Sequence, residues 1–380
     1  MTEDWYRTLG VSAHKSFLES LPPAKSGYFA PILPDIAGDP AYRFALHADG
    51  IGTKGVLAYL WWKETGDMQV WSDLAQDALV MNTDDLACSG IVGKFVFSTT
   101  ITRNPFFVPD EIVMAIIRGV YAFIEQLEAL GIPAKVAGGE TADMPDVVRT
   151  IGLEATAAAR VPANQLIPLR RPDKEILILG LASFGQANYE NTHNSGVGCN
   201  GITAARHLLL DASYKHQYPE TTEPSLTHTY QGTLRLRDEV EGIPVGKLLL
   251  SPSRTYLPIL REILPKYRRY LYGAIHCTGG GQRKALKYFP QTLIRKENFF
   301  PVPIIFRLLE GKRTWAELFE TFNMGHRLEL YAEPQVGEEL IDLSRTYGVD
   351  AKVIGTAMPI DQPSRMEVKF QGQQWVWFAS

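Results

Sequence analysis

Two hydrophobic periodicities alternate through the first half of the chain, and this alternation restricts the possible fold more than any other feature of the sequence. Strand-like runs that end in glycine or in charge occupy residues 44–48, 94–98, 134–137 and 150–155. Between them, apolar residues recur at helical spacing over residues 73–88 and 111–130. Strands that alternate with helices predict an α/β layer.

A proline-rich stretch at residues 162–172 interrupts both periodicities, and a new apolar strand is predicted directly after it. A chain of 380 residues is long enough to divide into two domains. We place the boundary at this stretch, which predicts an N-terminal domain at residues 1–171 and a C-terminal domain at residues 172–380. The second half is predicted to contain a helix at residues 202–210 and an exposed, irregular excursion at residues 211–246.

The composition excludes several classes of function. Lys and Arg total 38 against 42 Asp and Glu, so the net charge is −4 and there is no basic field to attract nucleic acid. Cys88, Cys199 and Cys277 are widely separated, which argues against a disulfide framework and a structural zinc site. The acidic N-terminus does not resemble a secretory signal, and no apolar run approaches the roughly 18 residues of a membrane helix. We therefore expect a protein of the reducing cytoplasm with no membrane partner.

The strongest local signal is the segment Asp49–Lys54, which follows a predicted strand directly. Gly50 and Gly52 allow a tight turn that exposes backbone amides, and Lys54 can bring a point charge to a phosphate. The Asp49 carboxylate can hold a magnesium ion that bridges phosphate oxygens. The spacing excludes a Walker A loop. A glycine-rich hairpin with a solvated lysine remains the alternative.

Acidic residues recur along the predicted helix at residues 73–88. At about 100° per residue, Asp73, Asp77 and Asp84 fall on one face, whereas Asp85 lies in the apolar stripe. An unpaired carboxylate there is costly unless a metal ion or hydrogen-bond donors compensate it. The alternatives are a helix N-cap at Asp73, supported by Gln76, a solvated face for Asp77 and Asp84, and fraying of the helix end at Asp85.

The segment Gly138–Pro145 repeats the pattern of glycines beside acids and a hydroxyl after a strand. Two such turns at strand ends of one sheet are predicted to converge on the same crevice, which would bring Glu140 towards Asp49. A purely structural turn is the competing interpretation.

Two glycine-rich segments follow in the second half. Ser195–Gly201 matches G-x-G-x-x-G, but the preceding strand ends too far upstream for a dinucleotide-binding unit, so an oxidoreductase interpretation rests on this motif alone. An anion pocket made of backbone amides remains plausible. His276–Gly281 places a histidine beside three consecutive glycines at the predicted start of a helix. The histidine has either a structural or a catalytic role.

Taken together, these motifs resemble aminoimidazole ribonucleotide synthetase, also called phosphoribosylformylglycinamidine cyclo-ligase. Asp49–Lys54 looks like that family's D-G-V-G-T-K signature, and further matches follow in the same order over about residues 44–330. Seven ordered matches are far more specific than any single one. The other six matching segments are Asp77–Leu86, Gly138–Pro145, Ser195–Arg206, Ser251–Arg254, His276–Gly281 and Phe322–Gly325.

The resemblance implies a two-domain ATP-binding fold of α/β (α+β) type and a homodimer in which the N-terminal sheets pair. It also implies an enzyme of purine biosynthesis that uses ATP and Mg²⁺ to close the imidazole ring of a small-molecule substrate, phosphoribosyl formylglycinamidine. By position in the motifs, Lys54, Asn200 and His276 are the implied catalytic residues. The implied nucleotide-binding residues are Asp49, Gly50, Gly52, Thr53, Lys54, Gly138, Gly139, Glu140 and Thr141. The implied metal ligands are Asp49 and Asp85, with Asp77 or Glu140 as a further candidate. The implied substrate-binding residues are Ser195, Asn200, Thr278, Gly279, Gly280 and Asn323.

The sequence also departs from the family pattern. Gly198 stands where the family has histidine, and Asp84 replaces the usual asparagine. Residues 182–194 form an extra segment, and residues 211–246 form a longer one. A nucleotide-binding regulator without catalysis, or another phosphorylating enzyme of the same superfamily, is therefore the alternative. Relatives that need a reactive cysteine near the N-terminus are excluded, because no cysteine precedes Cys88.

Overall fold

A computed structural model describes residues 6–11 and 27–379 of the chain. Strands and helices alternate through the first half, as predicted, and a second group of strands follows in the second half. Short 3-10 helices lie at Ala163–Gln165, Pro219–Thr221, Arg268–Tyr270, Gly281–Lys287 and Pro334–Val336. The α-helices are α1 (Lys54–Thr65), α2 (Gln69–Ala87), α3 (Asp110–Ala129), α4 (Ile202–Leu209), α5 (Ser213–Gln217), α6 (Val245–Leu250), α7 (Leu257–Tyr267), α8 (Ile304–Arg307), α9 (Trp315–Thr321) and α10 (Gly337–Thr346).

Within the described residues, the first half forms a five-stranded sheet in the order β1-β2-β5-β3-β4. Its strands are β1 (Leu33–Pro34), β2 (Tyr42–Gly50), β3 (Phe95–Arg103), β4 (Ala134–Asp143) and β5 (Ile151–Pro162). Only the β3–β4 pair is parallel among these strands. Helix α2 packs against β2 and β5, and α3 packs against α2 and β4. The outward face carries Leu46 and Val96, which are 55% and 44% exposed.

The second half forms a seven-stranded sheet in the order β14-β13-β10-β12-β6-β11-β9, counted over the described residues. A two-stranded ribbon of β7 (Glu239–Val240) and β8 (Ile243–Pro244) lies apart from it. Buried residues fill β9 and β11 along their whole length and β6 at every position except Leu177, so this sheet carries the core of the second half. Its strands are β6 (Ile176–Ala182), β9 (Leu271–His276), β10 (Thr292–Lys296), β11 (His326–Ala332), β12 (Ala351–Pro359), β13 (Arg365–Phe370) and β14 (Gln373–Phe378).

The two sheets fall on either side of residues 163–175. The proline-rich stretch therefore separates two groups of strands, while the exact boundary at residues 171 and 172 stays a prediction. In the part of the chain that the structure covers, no helix combines the length and the apolar character needed to cross a membrane.

Two predicted boundaries of local structure are wrong. Helix α2 begins at Gln69, one turn before Asp73, because the Asp67 carboxylate accepts the Gln69 N–H at 3.0 Å and Asp73 lies inside the helix. The segment Gly138–Thr141 is part of β4 and not a turn after a shorter strand, because β4 pairs with β3 on both sides of an irregularity at Ala137.

The stretch at residues 211–246 is not a purely exposed excursion. The side chains of Tyr214, Tyr230 and Leu236 in it are at most 1% exposed. The Tyr214 hydroxyl accepts the Leu236 N–H at 2.8 Å, which ties two parts of the stretch together. Aromatic residues spaced without helical or strand periodicity anchor the stretch to the core, so periodicity alone does not detect them.

Candidate functional site

Helix α2 lies at the junction of the two halves, and its carboxylates contact the segment Ser251–Tyr256 of the second half. Asp77 forms an ion pair of 2.7 Å with Lys54 and accepts the Ser253 N–H at 2.8 Å. The Lys54 ammonium also donates to the Ser251 carbonyl at 2.7 Å. Lys54 and Asp77 are both fully buried, so a solvated lysine and a solvated Asp77 are wrong. In this conformation their charges satisfy each other, and their expected contacts with phosphate and magnesium stay predictions.

Asp84 makes the same kind of connection two turns further along α2. Its carboxylate accepts the Thr255 hydroxyl at 2.8 Å and the Tyr256 N–H at 3.0 Å. Burial raises the pKa of Asp84 to about 7, although these hydrogen bonds and the charge of Arg327 oppose the rise. The solvated-face alternative is therefore wrong for Asp84 as well.

Asp85 lies between two histidines from different halves of the chain. His276 Nδ1 is 2.7 Å from one carboxylate oxygen, and His47 Nε2 is 3.5 Å from the other. Burial alone would raise the pKa of Asp85, but the charge of Lys284 and the hydrogen bonds from both histidines lower it well below its ordinary value. Asp85 is only 8% exposed, within a helix that continues to Ala87, so fraying of the helix end is wrong.

The contact with Asp85 fixes the proton on His276. The imidazole is fully buried, and burial lowers its pKa to about 4, so the ring is neutral at pH 7. Since an ionised carboxylate can only accept, Nδ1 carries the proton and donates it to Asp85. Nε2 then presents a lone pair, and it has no hydrogen-bond partner among the described residues. The ring can therefore accept a proton at Nε2.

Asp49 faces Asp85 from the end of β2. Burial, followed by the negative charge of Asp85, raises the pKa of Asp49. Glu154 on the neighbouring β5 also has a raised pKa, caused by burial and by the charge of Asp49. Carboxylates that repel one another fit a divalent cation, and magnesium commonly uses one or two carboxylates together with phosphate oxygens. Asp49 and Asp85 thus suit magnesium, whereas Asp77 lies about 12 Å away along the helix.

The turn after Asp49 is closely packed. A Cβ at Gly50 would lie 2.6 Å from the Leu153 carbonyl oxygen, a backbone atom that cannot move aside, so only glycine fits there. Gly52 has a φ of 53°, in the left-handed region that glycine favours. The Thr53 hydroxyl lies 2.7 Å from the Thr203 hydroxyl of the second half. The turn therefore contributes to the junction between the halves.

The segment Gly138–Thr141 lies at a distance from this junction. In the sheet register, Glu140 pairs with Thr100, which pairs with Glu154, which pairs with Gly50. Three strand spacings separate Glu140 from Gly50, or about 14 Å. The four residues of the segment Gly138–Thr141 are all exposed on the edge strand β4. The structure does not bring Glu140 next to Asp49 within one chain, so the predicted convergence of the two segments is wrong for a single copy.

Two predicted substrate residues have their side chains engaged by the protein itself. The Ser195 hydroxyl donates to the Leu248 carbonyl at 2.6 Å. Asn323 accepts the Ser183 hydroxyl at 2.8 Å and donates to the Gly196 carbonyl at 2.8 Å. Both side chains therefore shape the Ser195–Gly201 loop, and their expected contact with substrate stays a prediction.

Asn200 and the Thr278–Gly280 turn meet at the junction. A Cβ at Gly279 would lie 3.8 Å from Asn200 Nδ2, and Asn200 Oδ1 is buried with no hydrogen-bond partner in the described part of the chain. The Thr278 hydroxyl accepts a hydrogen bond from Lys284. A buried polar atom without a partner costs about 1–3 kcal/mol, so Asn200 is a candidate for contact with a ligand.

The sequence analysis missed His47, Glu154 and Lys284. His47 and Asp49 are two residues apart on one strand, so the strand period of 2 places them on the same face and could have identified His47. Glu154 becomes visible only through the pairing of β2 with β5. Lys284 follows the glycine turn at residues 279–281, and only the packed structure brings its charge towards Asp85.

Comparison with protein families and curated relatives supports the motif assignment. Residues 33–161 match the family described as AIR synthase related protein, N-terminal domain. The phosphoribosylformylglycinamidine cyclo-ligase of Thermococcus gammatolerans is 28% identical over 309 residues, which cover 80% of this chain and 77% of the relative. The enzyme of the same name from Methanococcus vannielii is 25% identical over 317 residues, covering 83% of this chain and 77% of the relative. The resemblance predicted from the motifs is confirmed, at the level of a divergent relative.

Solved structures with the same fold confirm the predicted fold class. The structure described as T. maritima PurL complexed with FGAR matches with a TM-score of 0.54 and 16% identity, over 95% of this chain and 48% of that chain. This chain therefore spans about half the length of that protein. AaThiL complexed with AMPPCP and TMP matches with a TM-score of 0.55 and 12% identity, over 95% of this chain and 94% of that one.

Proposed function

Since residues 33–161 match the family of AIR synthase related proteins, N-terminal domain, we propose that this chain converts formylglycinamidine ribonucleotide to 5-aminoimidazole ribonucleotide. The reaction consumes ATP and releases ADP and phosphate. The observation that carries the proposal is the 2.7 Å contact between Asp85 and His276, because it joins a motif of the first half to a motif of the second. Residues 191 positions apart in sequence are thus neighbours at one site.

The chemistry requires an activated oxygen and a proton acceptor. The γ-phosphoryl group of ATP transfers to the formyl oxygen, and the amidine nitrogen of the same substrate attacks the activated carbon. The carbon–oxygen bond then breaks and phosphate leaves, while the attacking nitrogen loses a proton. The free Nε2 lone pair of His276 can accept that proton, with Asp85 stabilising the imidazolium that forms. Because the attack is intramolecular, the protein mainly positions groups and neutralises charge.

In this proposal Asp49 and Asp85 hold magnesium, and their mutual repulsion supports the assignment. Bound magnesium would neutralise phosphate charge. Lys284 adds a positive charge beside the same carboxylates. The predicted roles of Lys54, Gly138–Thr141 and Asn200 in binding nucleotide or substrate remain part of the proposal.

The test is to incubate the purified protein with formylglycinamidine ribonucleotide, ATP and magnesium, and to quantify ADP and 5-aminoimidazole ribonucleotide by chromatography. Equal amounts of both products support the proposal. ADP without the imidazole product would indicate a different phosphorylating enzyme. Neither product, with ATP binding retained in calorimetry, would leave only a nucleotide-binding regulator.

The proposal also includes a homodimer that pairs through the open face of the first sheet. Support comes from Leu46 and Val96, which pair with the same residue, Ala158, and are large, apolar and exposed. The variant Leu46→Glu with Val96→Glu should be monomeric in light scattering where the wild type is dimeric. Val147→Glu, which changes an equally apolar loop residue that is 73% exposed, should leave the wild-type mass unchanged. A double variant that stays dimeric would contradict pairing through this face.

A further inference from the structure

Arg327, on strand β11, carries a buried charge whose donors are not all used. The residue is 1% exposed, and one guanidinium nitrogen donates to the Arg254 carbonyl. The other two nitrogens, Nε and Nη1, have no hydrogen-bond partner within the described residues. Burying a charged donor without a partner is unfavourable, so such a group indicates a missing acceptor.

The Arg327 guanidinium lies directly against Gly198, in space that a side chain at residue 198 would enter. A Cβ at Gly198 would lie 2.7 Å from Arg327 Nη1, well inside the closest contact that real side chains make. Gly198 also has a φ of 69°, which side chains rarely adopt. A histidine at this position and the observed arginine position therefore exclude each other.

The second departure from the family pattern lies beside the same group. Asp84, in place of asparagine, accepts the Thr255 hydroxyl and the Tyr256 N–H, directly after the Arg254 carbonyl to which Arg327 donates. The Arg327 carbonyl accepts the N–H of Cys277, the residue after His276, at 2.7 Å. Nε2 of His276 has no hydrogen-bond partner among the described residues. An extra carboxylate, a missing histidine and an enclosed arginine thus meet at one place next to the proposed proton acceptor.

We propose that Arg327 is an anion-binding residue of the site and takes the place of the absent histidine at Gly198, where its free N–H groups bind a phosphoryl group on the substrate side. A guanidinium stays charged at every accessible pH and donates several hydrogen bonds, which suits phosphate oxygens. The identity of the anion as the phosphoryl group transferred to substrate rests on the proposed function. The presence of an anion subsite rests on the geometry alone.

The experiment uses inorganic phosphate as the probe, titrated calorimetrically into the full chain without nucleotide or substrate. Arg327→Met should weaken phosphate binding at least tenfold, and Arg327→Lys should give an intermediate affinity because it keeps the charge but has fewer donors. Arg295→Met is the matched control, because it removes an exposed arginine of the same half. Among the described residues, the Arg295 side chain forms an ion pair only with Glu367. The control should bind phosphate like the wild type. Wild-type affinity in Arg327→Met, or no phosphate binding by the wild type, would overturn the inference.

Circular dichroism shows first whether each variant is folded. If Arg327→Met does not fold, a crystal structure of the wild type soaked in phosphate decides instead. A phosphate oxygen within hydrogen-bond distance of the Arg327 guanidinium supports the subsite, and phosphate bound only elsewhere overturns it.

The binding assay and the turnover assay fail separately. If the wild type makes no imidazole product but Arg327→Met loses phosphate binding, the proposed function fails and the anion subsite stands. If the wild type is active and Arg327→Met retains both phosphate binding and turnover, the subsite fails and the proposed function stands.

Discussion

Helix α2 carries the same kind of residue in opposite situations at its middle and near its C-terminal end. Near its middle, Asp77 is enclosed with Lys54 and Ser253, so each charged atom has a partner. Near its C-terminal end, Asp85 contacts His276, whose second nitrogen has no hydrogen-bond partner in the described part of the chain, and faces the carboxylate of Asp49. The first arrangement is complete without a ligand, whereas the second is not. An acidic helix can therefore hold two halves together through some of its carboxylates and present a site through another.

The largest expected effect concerns the enclosed ion pair of Asp77 and Lys54. Lys54→Ala leaves the Asp77 carboxylate buried without its counter-charge, which should lower the free energy of unfolding by about 3–5 kcal/mol. Denaturant titration measures the loss. Replacing both residues, Lys54→Met with Asp77→Leu, should recover most of it, because no unpaired charge remains. Lys63→Ala, on the exposed side of the same helix α1, should cost less than about 1 kcal/mol. Equal stability of Lys54→Ala and the wild type would contradict the distinction between the enclosed Asp77 and the available Asp85.

The pH dependence separates the neighbours Asp84 and Asp85. The pKa of Asp84 is raised to about 7 in the folded state, so its contribution to stability is fully present below about pH 4 and is lost as the pH rises to 7. A shift of this size corresponds to at most about 4 kcal/mol. The pKa of Asp85 is lowered, so its contribution is present above about pH 4 and is lost as the pH falls below that value.

Unfolding free energies measured from pH 3 to 8 test these signs. Asp84→Asn should flatten the decline between pH 4 and 7, and Asp85→Asn should remove part of the decline on the acid side. An Asp84→Asn profile that is parallel to the wild-type profile would show that this carboxylate titrates normally.

Asp85→Asn should also affect activity, because Asp85 contacts the proposed proton acceptor His276. The amide cannot hold His276 as a proton acceptor in the same way and is a poorer magnesium ligand, so ring closure should slow by about 100-fold or more, equivalent to about 2.7 kcal/mol. Turnover at saturating ATP and substrate measures the effect. Asp73 lies on the same helix, and its side chain is hydrogen-bonded only to Gln69 among the described residues. The variant Asp73→Asn should therefore keep wild-type turnover. Similar rates for both variants would contradict a special role for Asp85 in turnover.

The smallest expected effect concerns the hydroxyl contact between the halves. Thr53→Val removes one partner of the 2.7 Å contact with Thr203 and should cost about 1 kcal/mol of stability. Thermal unfolding measures it. A larger loss would mean that the Asp49–Lys54 turn, and not α2, dominates the connection between the halves.

Much of the fold follows from local pattern. Helix α3 was predicted to within one residue at each end, because its apolar stripe is strong and Gly131 with Pro133 stops it. The extent of β4 was not predicted, since Gly138 and Gly139 suggest a turn and only pairing with β3 keeps them in a strand. The packing of residues 211–246 was missed because it depends on scattered aromatic anchors.

The candidate site was predicted only in part. The arithmetic of helical spacing separated Asp85 from Asp77, and the structure places these two carboxylates in different surroundings. The same arithmetic left a solvated face open as the alternative for Asp77 and Asp84, because a single helix does not reveal that a second half covers it. The contribution of Arg327 was equally invisible, since it arises from the space left by Gly198.

The sequence by itself determined the alternation of strands and helices in the first half and the motifs that resemble a known family, because these depend on neighbouring residues and on spacing. Only the tertiary structure decided which charges are neutralised and which remain available. The physical reason is that the pKa and the pairing of a buried group depend on the dielectric surroundings and on partners far away in sequence. Asp77 and Asp85 are chemically identical and lie on one helix, and their different partners alone make one an internal ion pair and the other a candidate ligand.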